Sequence, residues 1–122
     1  MDSKFCTSIS CIDGRIQMPI TQWLKKNYGV DYVDTITEPG VDKMFSNPDK
    51  IEELKAKASI SVNAHGSKII VVSGHHDCAG NPVSRQEHIE QIRVAVSTIK
   101  SWNLPVKVIG AWVNERWELE IL

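Results

Sequence analysis

Lys68-Ile69-Ile70-Val71-Val72-Ser73, followed at once by Gly74-His75-His76-Asp77-Cys78, is the stretch on which the fold turns. A short, unbroken aliphatic run marks a strand covered on both faces, and hence a central strand of a parallel sheet. Working outward, Phe5 to Ile12 reads as another buried strand, the first, ending in a turn at Asp13-Gly14. Pro19 suits the first turn of a helix with Ile20, Trp23 and Leu24 on its apolar face and Gly29 as its stop. Val30 to Ile36 alternates weakly and is bounded by Glu38-Pro39-Gly40, which predicts a second strand. Asn47 and Pro48 form an N-cap and first-turn pair for a helix near 48–65, with Ile51, Leu54, Ala58 and Val62 as its stripe and Gly66 as its end. Beyond the central strand, Ser84 and Glu87 form a capping box for a helix reaching about Trp102. Val106 to Val113 then predicts a strand, and Trp117 to Leu122 alternates like an edge strand after a turn near Asn114-Glu115. Strands alternate with helices throughout, so the expected class is α/β with a mainly parallel sheet and right-handed crossovers. No linker or repeat divides the chain, and one domain over 1–122 is expected.

Composition excludes several functions. With 42% hydrophobic residues, 24% charged residues and a formal net charge of −1, the chain has neither a disordered composition nor the field of a nucleic-acid or anionic-membrane binder. Met1-Asp2-Ser3-Lys4 opens no signal-peptide core, and no apolar run nears the ~20 residues of a membrane span, so a cytoplasmic location is expected. Three cysteines, Cys6, Cys11 and Cys78, are an odd number for a reducing compartment, where thiols serve as metal ligands, nucleophiles or core.

Ligands in such folds sit beyond the carboxyl ends of strands. Two turns lie there: Cys11-Ile12-Asp13-Gly14-Arg15 and His75-His76-Asp77-Cys78. If their strands are neighbours, the turns meet. Cys11, Asp13 and Arg15 share parity, so an extended chain presents them on one side, and the two-residue gap lets His75 and Cys78 converge on one ion. Two thiolates and an imidazole form a soft three-ligand set that suits zinc and leaves a fourth tetrahedral position for water. Asp13 is then placed to accept a hydrogen bond from that water, with Arg15 holding its carboxylate; alternatively, Asp13 itself fills the fourth position.

Cys-Ile-Asp-Gly-Arg followed by Gly-His-His-Asp-Cys resembles the two signatures of the β-class carbonic anhydrases, Cys-x-Asp-x-Arg and Gly-His-x-x-Cys. Val108-Ile109-Gly110-Ala111-Trp112-Val113 is weakly similar to that family's late strand. The resemblance implies Zn2+ held by Cys11, His75 and Cys78, with Asp13 and Arg15 as the dyad beside the metal water. It implies a three-layer α/β/α fold with a four- to five-stranded sheet in the order 2-1-3-4, the last strand at an edge. The implied reaction is hydration of CO2 to bicarbonate by attack of zinc-bound hydroxide, with Asp13, oriented by Arg15, fixing and deprotonating the water. COS or CS2 would undergo the same attack. A homodimer or higher homo-oligomer is implied too, because family members pair through their sheets. The chain departs from the pattern at Gly14 and Ala79, and more at Thr37-Glu38-Pro39-Gly40, where members carry Arg-Asn-Ala-Gly. A reading from another class is therefore a zinc-binding protein of this fold without turnover.

The remaining reactive side chains have plainer expectations. Cys6, five residues before Cys11, points to the opposite face of an extended strand, ~17 Å away, and belongs to the core. His65 and His88 are isolated and suit surface or capping positions, while His76 and Asp77 are turn residues or neighbours of the ligands. Trp112 and Trp117 flank the last turn and are candidates for an exposed dimerising face. Cys78 and Arg85 mimic a phosphatase loop, but six residues separate them, and Asp77 beside the thiol opposes that chemistry.

Overall fold

The computed structural model describes residues 3–122; Met1 and Asp2, half of the opening segment read for a leader, lie outside it. Its elements are β1 (Phe5–Ser10), α1 (Gly14–Tyr28), β2 (Tyr32–Thr37), a short 3-10 helix (Val41–Ser46), α2 (Pro48–His65), β3 (Ile69–His75), α3 (Arg85–Ser101), β4 (Lys107–Val113) and β5 (Leu119–Ile121). The sheet order is β2-β1-β3-β4-β5, the order that the resemblance implies with its last strand at an edge, and β5 alone is antiparallel. The aliphatic run is the axis of the sheet: Val71 stands opposite Ser8 of β1 and Ile109 of β4.

Alternation along β3 sorts the core into two layers. Val71 joins Ile16, Ile20 and Leu24 of α1, while Ile70 and Val72 join Leu54 and Ala58 of α2 and Ala95 and Ile99 of α3. Gly110 is what lets α3 lie close to β4, since a Cβ there would come within 2.9 Å of Ile92. The caps of α2 and α3 are those read from the sequence. Asn47 Oδ1 accepts the N–H of Asp49, and Ser84 Oγ accepts that of Glu87. No helix among the described residues is long and apolar enough to cross a membrane.

Three local expectations are corrected. The first helix begins at Gly14, with Pro19 inside it, because Asp13 accepts the N–H of Arg15 and caps the helix a full turn before the proline. Pro19 then forgoes one hydrogen bond to the preceding turn, which the helix tolerates. The first strand stops at Ser10, so its alternation does not reach Cys11, and Cys6 shares the α1 layer with Cys11 rather than facing away from it. Trp112 is buried against His88, at 5.1 Å between ring centroids, and so forms no exposed face with Trp117.

Candidate metal centre

β1 and β3 are adjacent and parallel, so the turns at their carboxyl ends meet. Cys11 follows β1, His75 ends β3 and Cys78 lies in the turn after it; all three are buried, and their ligand atoms lie within 4.8 Å of one another. The two sulfurs are 3.9 Å apart. Parity along an extended chain is not what joins Asp13 and Arg15 to this group. Asp13 is the helix cap and Arg15 stands in the first helical turn, and the helix bends the guanidinium back onto the cap.

The imidazole of His75 is set by its backbone. Its Nδ1 lies 2.7 Å from the carbonyl oxygen of His76, which can only accept, so Nδ1 carries a proton and, in the neutral ring, Nε2 presents a bare lone pair. That Nε2 is buried and has no hydrogen-bond partner among the described residues. An orphaned buried nitrogen facing two thiols is the donor arrangement a soft divalent ion satisfies, so the residues present fit a metal. Each sulfur also has a nearby amide. The N–H of Gly40 donates to Cys11 Sγ at 3.3 Å, and that of Asn81 favours the Cys78 thiolate. Gly40 adopts φ 58°, and a Cβ on it would meet Gly80 at 2.7 Å, so this amide reaches the sulfur only because the residue is glycine.

Burial, then the nearby Cys11, pushes the Cys78 thiol up to about 11, so ion binding must displace its proton. Burial, then Asp34, does the same to Cys6, which leaves it an inert core thiol outside the donor set.

Arg15 clamps Asp13 through Nε to Oδ1 at 3.0 Å and a terminal nitrogen to Oδ2 at 2.7 Å. These hydrogen bonds hold the Asp13 carboxyl down at about 2. Oδ2 lies 4.0 Å from His75 Nε2, so the carboxylate borders the centre. His76 and Asp77 are exposed, and Asp77 pairs with Arg15 at 3.1 Å.

Sequence reading missed what stands on the far side of β3. His88, expected at the surface, is buried and donates from Nδ1 to the equally buried Asp42. Asn81 donates to Asp42 at 3.0 Å and to Gln91 at 2.7 Å, tying the Cys78 loop to α3. A Cβ on Gly74 would lie 2.5 Å from Asp42, so that glycine makes room for the pair. No local signal marks Asp42, whose partner is 46 residues away. His65 meets its expectation only in part: it is half-exposed at the end of α2, but it also binds Asp34 at 2.6 Å and stacks on Phe5.

No curated protein matches the chain. A Cys, His, Cys donor set at the carboxyl ends of a mainly parallel sheet agrees with the match of residues 1–122 to the family described as "Putative carbonic anhydrase", and this chain belongs to that carbonic anhydrase family.

Proposed function

We propose that Cys11, His75 and Cys78 bind zinc and that the chain hydrates CO2 to bicarbonate at this centre. One observation carries the reading: a buried imidazole nitrogen, already fixed in its metal-binding tautomer, faces two thiols without any hydrogen-bond partner among the described residues. Zinc, when bound, supplies Lewis-acid chemistry that brings the pKa of water down to about 7.

The protein supplies charge and orientation. The two thiolates neutralise a dication, and the Gly40 amide steadies one of them. Asp13 Oδ1 already accepts from both the backbone and the Nε of Arg15, whereas Oδ2 accepts a single hydrogen bond and lies nearer His75. The free lone pair of Oδ2 is therefore the acceptor that orients the reacting water. Held at about 2, Asp13 stays ionised through the neutral range and is a poor proton store. Its role is thus narrower than the sequence suggests: it fixes the water, and the proton passes to solvent or buffer. Arg15 is a positioning residue acting through Asp13. COS or CS2, attacked at the same electrophilic carbon, remain substrates to compare, and a homodimer in the cytoplasm is the expected state.

The loop beside Cys11 favours a second reading, zinc binding without turnover. Glu38, in the segment where β-class members carry Arg-Asn-Ala, is engaged by Lys57 at 3.9 Å. Metal analysis combined with stopped-flow CO2 hydration between pH 7 and 9 separates the two. Stoichiometric zinc with turnover is expected. Stoichiometric zinc without turnover selects the second reading, and a reconstituted protein that retains no zinc removes the centre altogether. Sedimentation at micromolar concentration tests the dimer.

A further inference from the structure

Three non-glycine residues among those described have positive φ: Asp77 at 57°, Asn103 at 57° and Trp117 at 59°. Asparagine adopts this conformation readily, but a bulky residue such as tryptophan does so only where its surroundings impose it. Both Asp77 and Trp117 touch the same group, the guanidinium of Arg15. Asp77 accepts from it twice, through Oδ2 and through its own carbonyl oxygen, each at 3.1 Å. The Trp117 ring lies over Cζ at 4.5 Å.

The turn that presents the ring is built by Asn114, which is buried and whose Oδ1 accepts the N–H groups of Arg116 and Glu118. That scaffold would accommodate glycine at position 117 with less strain. The ring packs in part on the α1-side core, and its face also covers the cation, a contact glycine could not make.

We propose that Trp117 and Asp77 are positioning residues, a cage that holds Arg15 in plane with Asp13 and so fixes where Oδ2 stands beside the metal centre. Asp13 grips one edge of the guanidinium, Asp77 grips the other, and the ring closes one face. Arg15 is 46% exposed, so without the cage its long side chain has solvent in which to rotate away and release the carboxylate. The catalytic part of this proposal rests on the CO2-hydration reading; the cage itself does not.

The test compares Trp117→Phe with Trp117→Leu. Both keep an apolar side chain at the same strained backbone position, and only Phe keeps an aromatic face. In 15N-labelled protein, the Arg15 Nε–H resonance, assigned by its disappearance in Arg15→Lys, should be ring-shifted and slow to exchange in the wild type and in Trp117→Phe. It should move and exchange faster in Trp117→Leu. Zinc content should stay equal in all three, while kcat falls about 10- to 100-fold in Trp117→Leu at nearly unchanged KM and recovers in Trp117→Phe. Asp77→Asn, which keeps the carbonyl contact, should give a smaller loss. If the resonance is the same in Phe and Leu variants, or if zinc is lost in step with kcat, the cage is wrong and Trp117 is merely structural. If the wild type shows no CO2 hydration, the resonance alone still decides the cage, so failure of the reaction reading is told apart from failure of this one.

Discussion

His75 and His88 are both buried at the carboxyl end of β3, one on each side of the sheet, and their environments are opposite. On the α1 side, His75 spends one nitrogen on a backbone carbonyl and leaves the other without a partner among the described residues. On the α2 and α3 side, His88 Nδ1 is hydrogen-bonded to Asp42, which Asn81 also satisfies, and Asn81 in turn is held by Gln91. Burial of an imidazole is thus uninformative until its partners are counted. A satisfied network stabilises the scaffold, and an unsatisfied lone pair that faces two thiols is a donor set open to an ion.

The sharpest way to break this contrast is to delete each histidine in turn. His75→Ala should abolish zinc retention and reduce CO2 hydration to the buffer background, as measured by metal analysis and stopped flow, while apo-protein stability changes far less than for His88→Ala. His88→Ala leaves the buried Asp42 with the amide of Asn81 but without its imidazole partner, and should cost ~3–5 kcal/mol in urea denaturation, with zinc stoichiometry intact in the folded protein. Pairing it with Asp42→Asn should cost less than the two single changes added together. Equal stability losses on the two sides would end the distinction.

A smaller effect is expected where the two sides touch. Gly74→Ala places a methyl group 2.5 Å from Asp42 and should destabilise by ~1–3 kcal/mol, read as a lowered denaturation midpoint. Cys11, His75 and Cys78, on the other side of the strand, should still bind zinc as the wild type is expected to. The smallest effect concerns pH. Arg15 lowers the Asp13 carboxyl from 3.8 to about 2, so its stabilising contribution is complete above pH 3.8 and fades as pH falls through about 2. Asp13→Asn keeps the helix cap but cannot ionise. Its stability deficit relative to wild type should be constant from pH 7 to 5 and shrink below pH 4; a deficit that does not change with pH would show that the clamp stabilises through packing rather than charge.

Much of the scaffold was legible because its signals are local. Asn47-Pro48 and Gly66 bound α2 at the residues expected, since a cap, a fixed φ and a left-handed stop act within a few residues of themselves. The aliphatic run identified β3 for a similar reason: nothing polar interrupts it. Pro19 misled because a proline fits a helix start but does not require one, and the true start depended on Asp13 folding back onto the amide of Arg15. The relative facing of Cys6 and Cys11 is not legible in the sequence, because alternation holds only while the strand lasts and β1 ends one residue before Cys11. The tryptophan on Arg15 and the carboxylate behind Gly74 gave no signal at all, being brought together from positions far apart in the chain.

The sequence by itself determined the order of strands and helices and placed a thiol, an imidazole and a second thiol at the ends of two strands, because periodicity and punctuation are properties of neighbouring residues. Only the tertiary structure decided which histidine is left with a free lone pair, which carboxylate Arg15 clamps and which is buried against His88. Those outcomes depend on hydrogen-bond partners supplied across the sheet, and a chain specifies such partners only once it has folded.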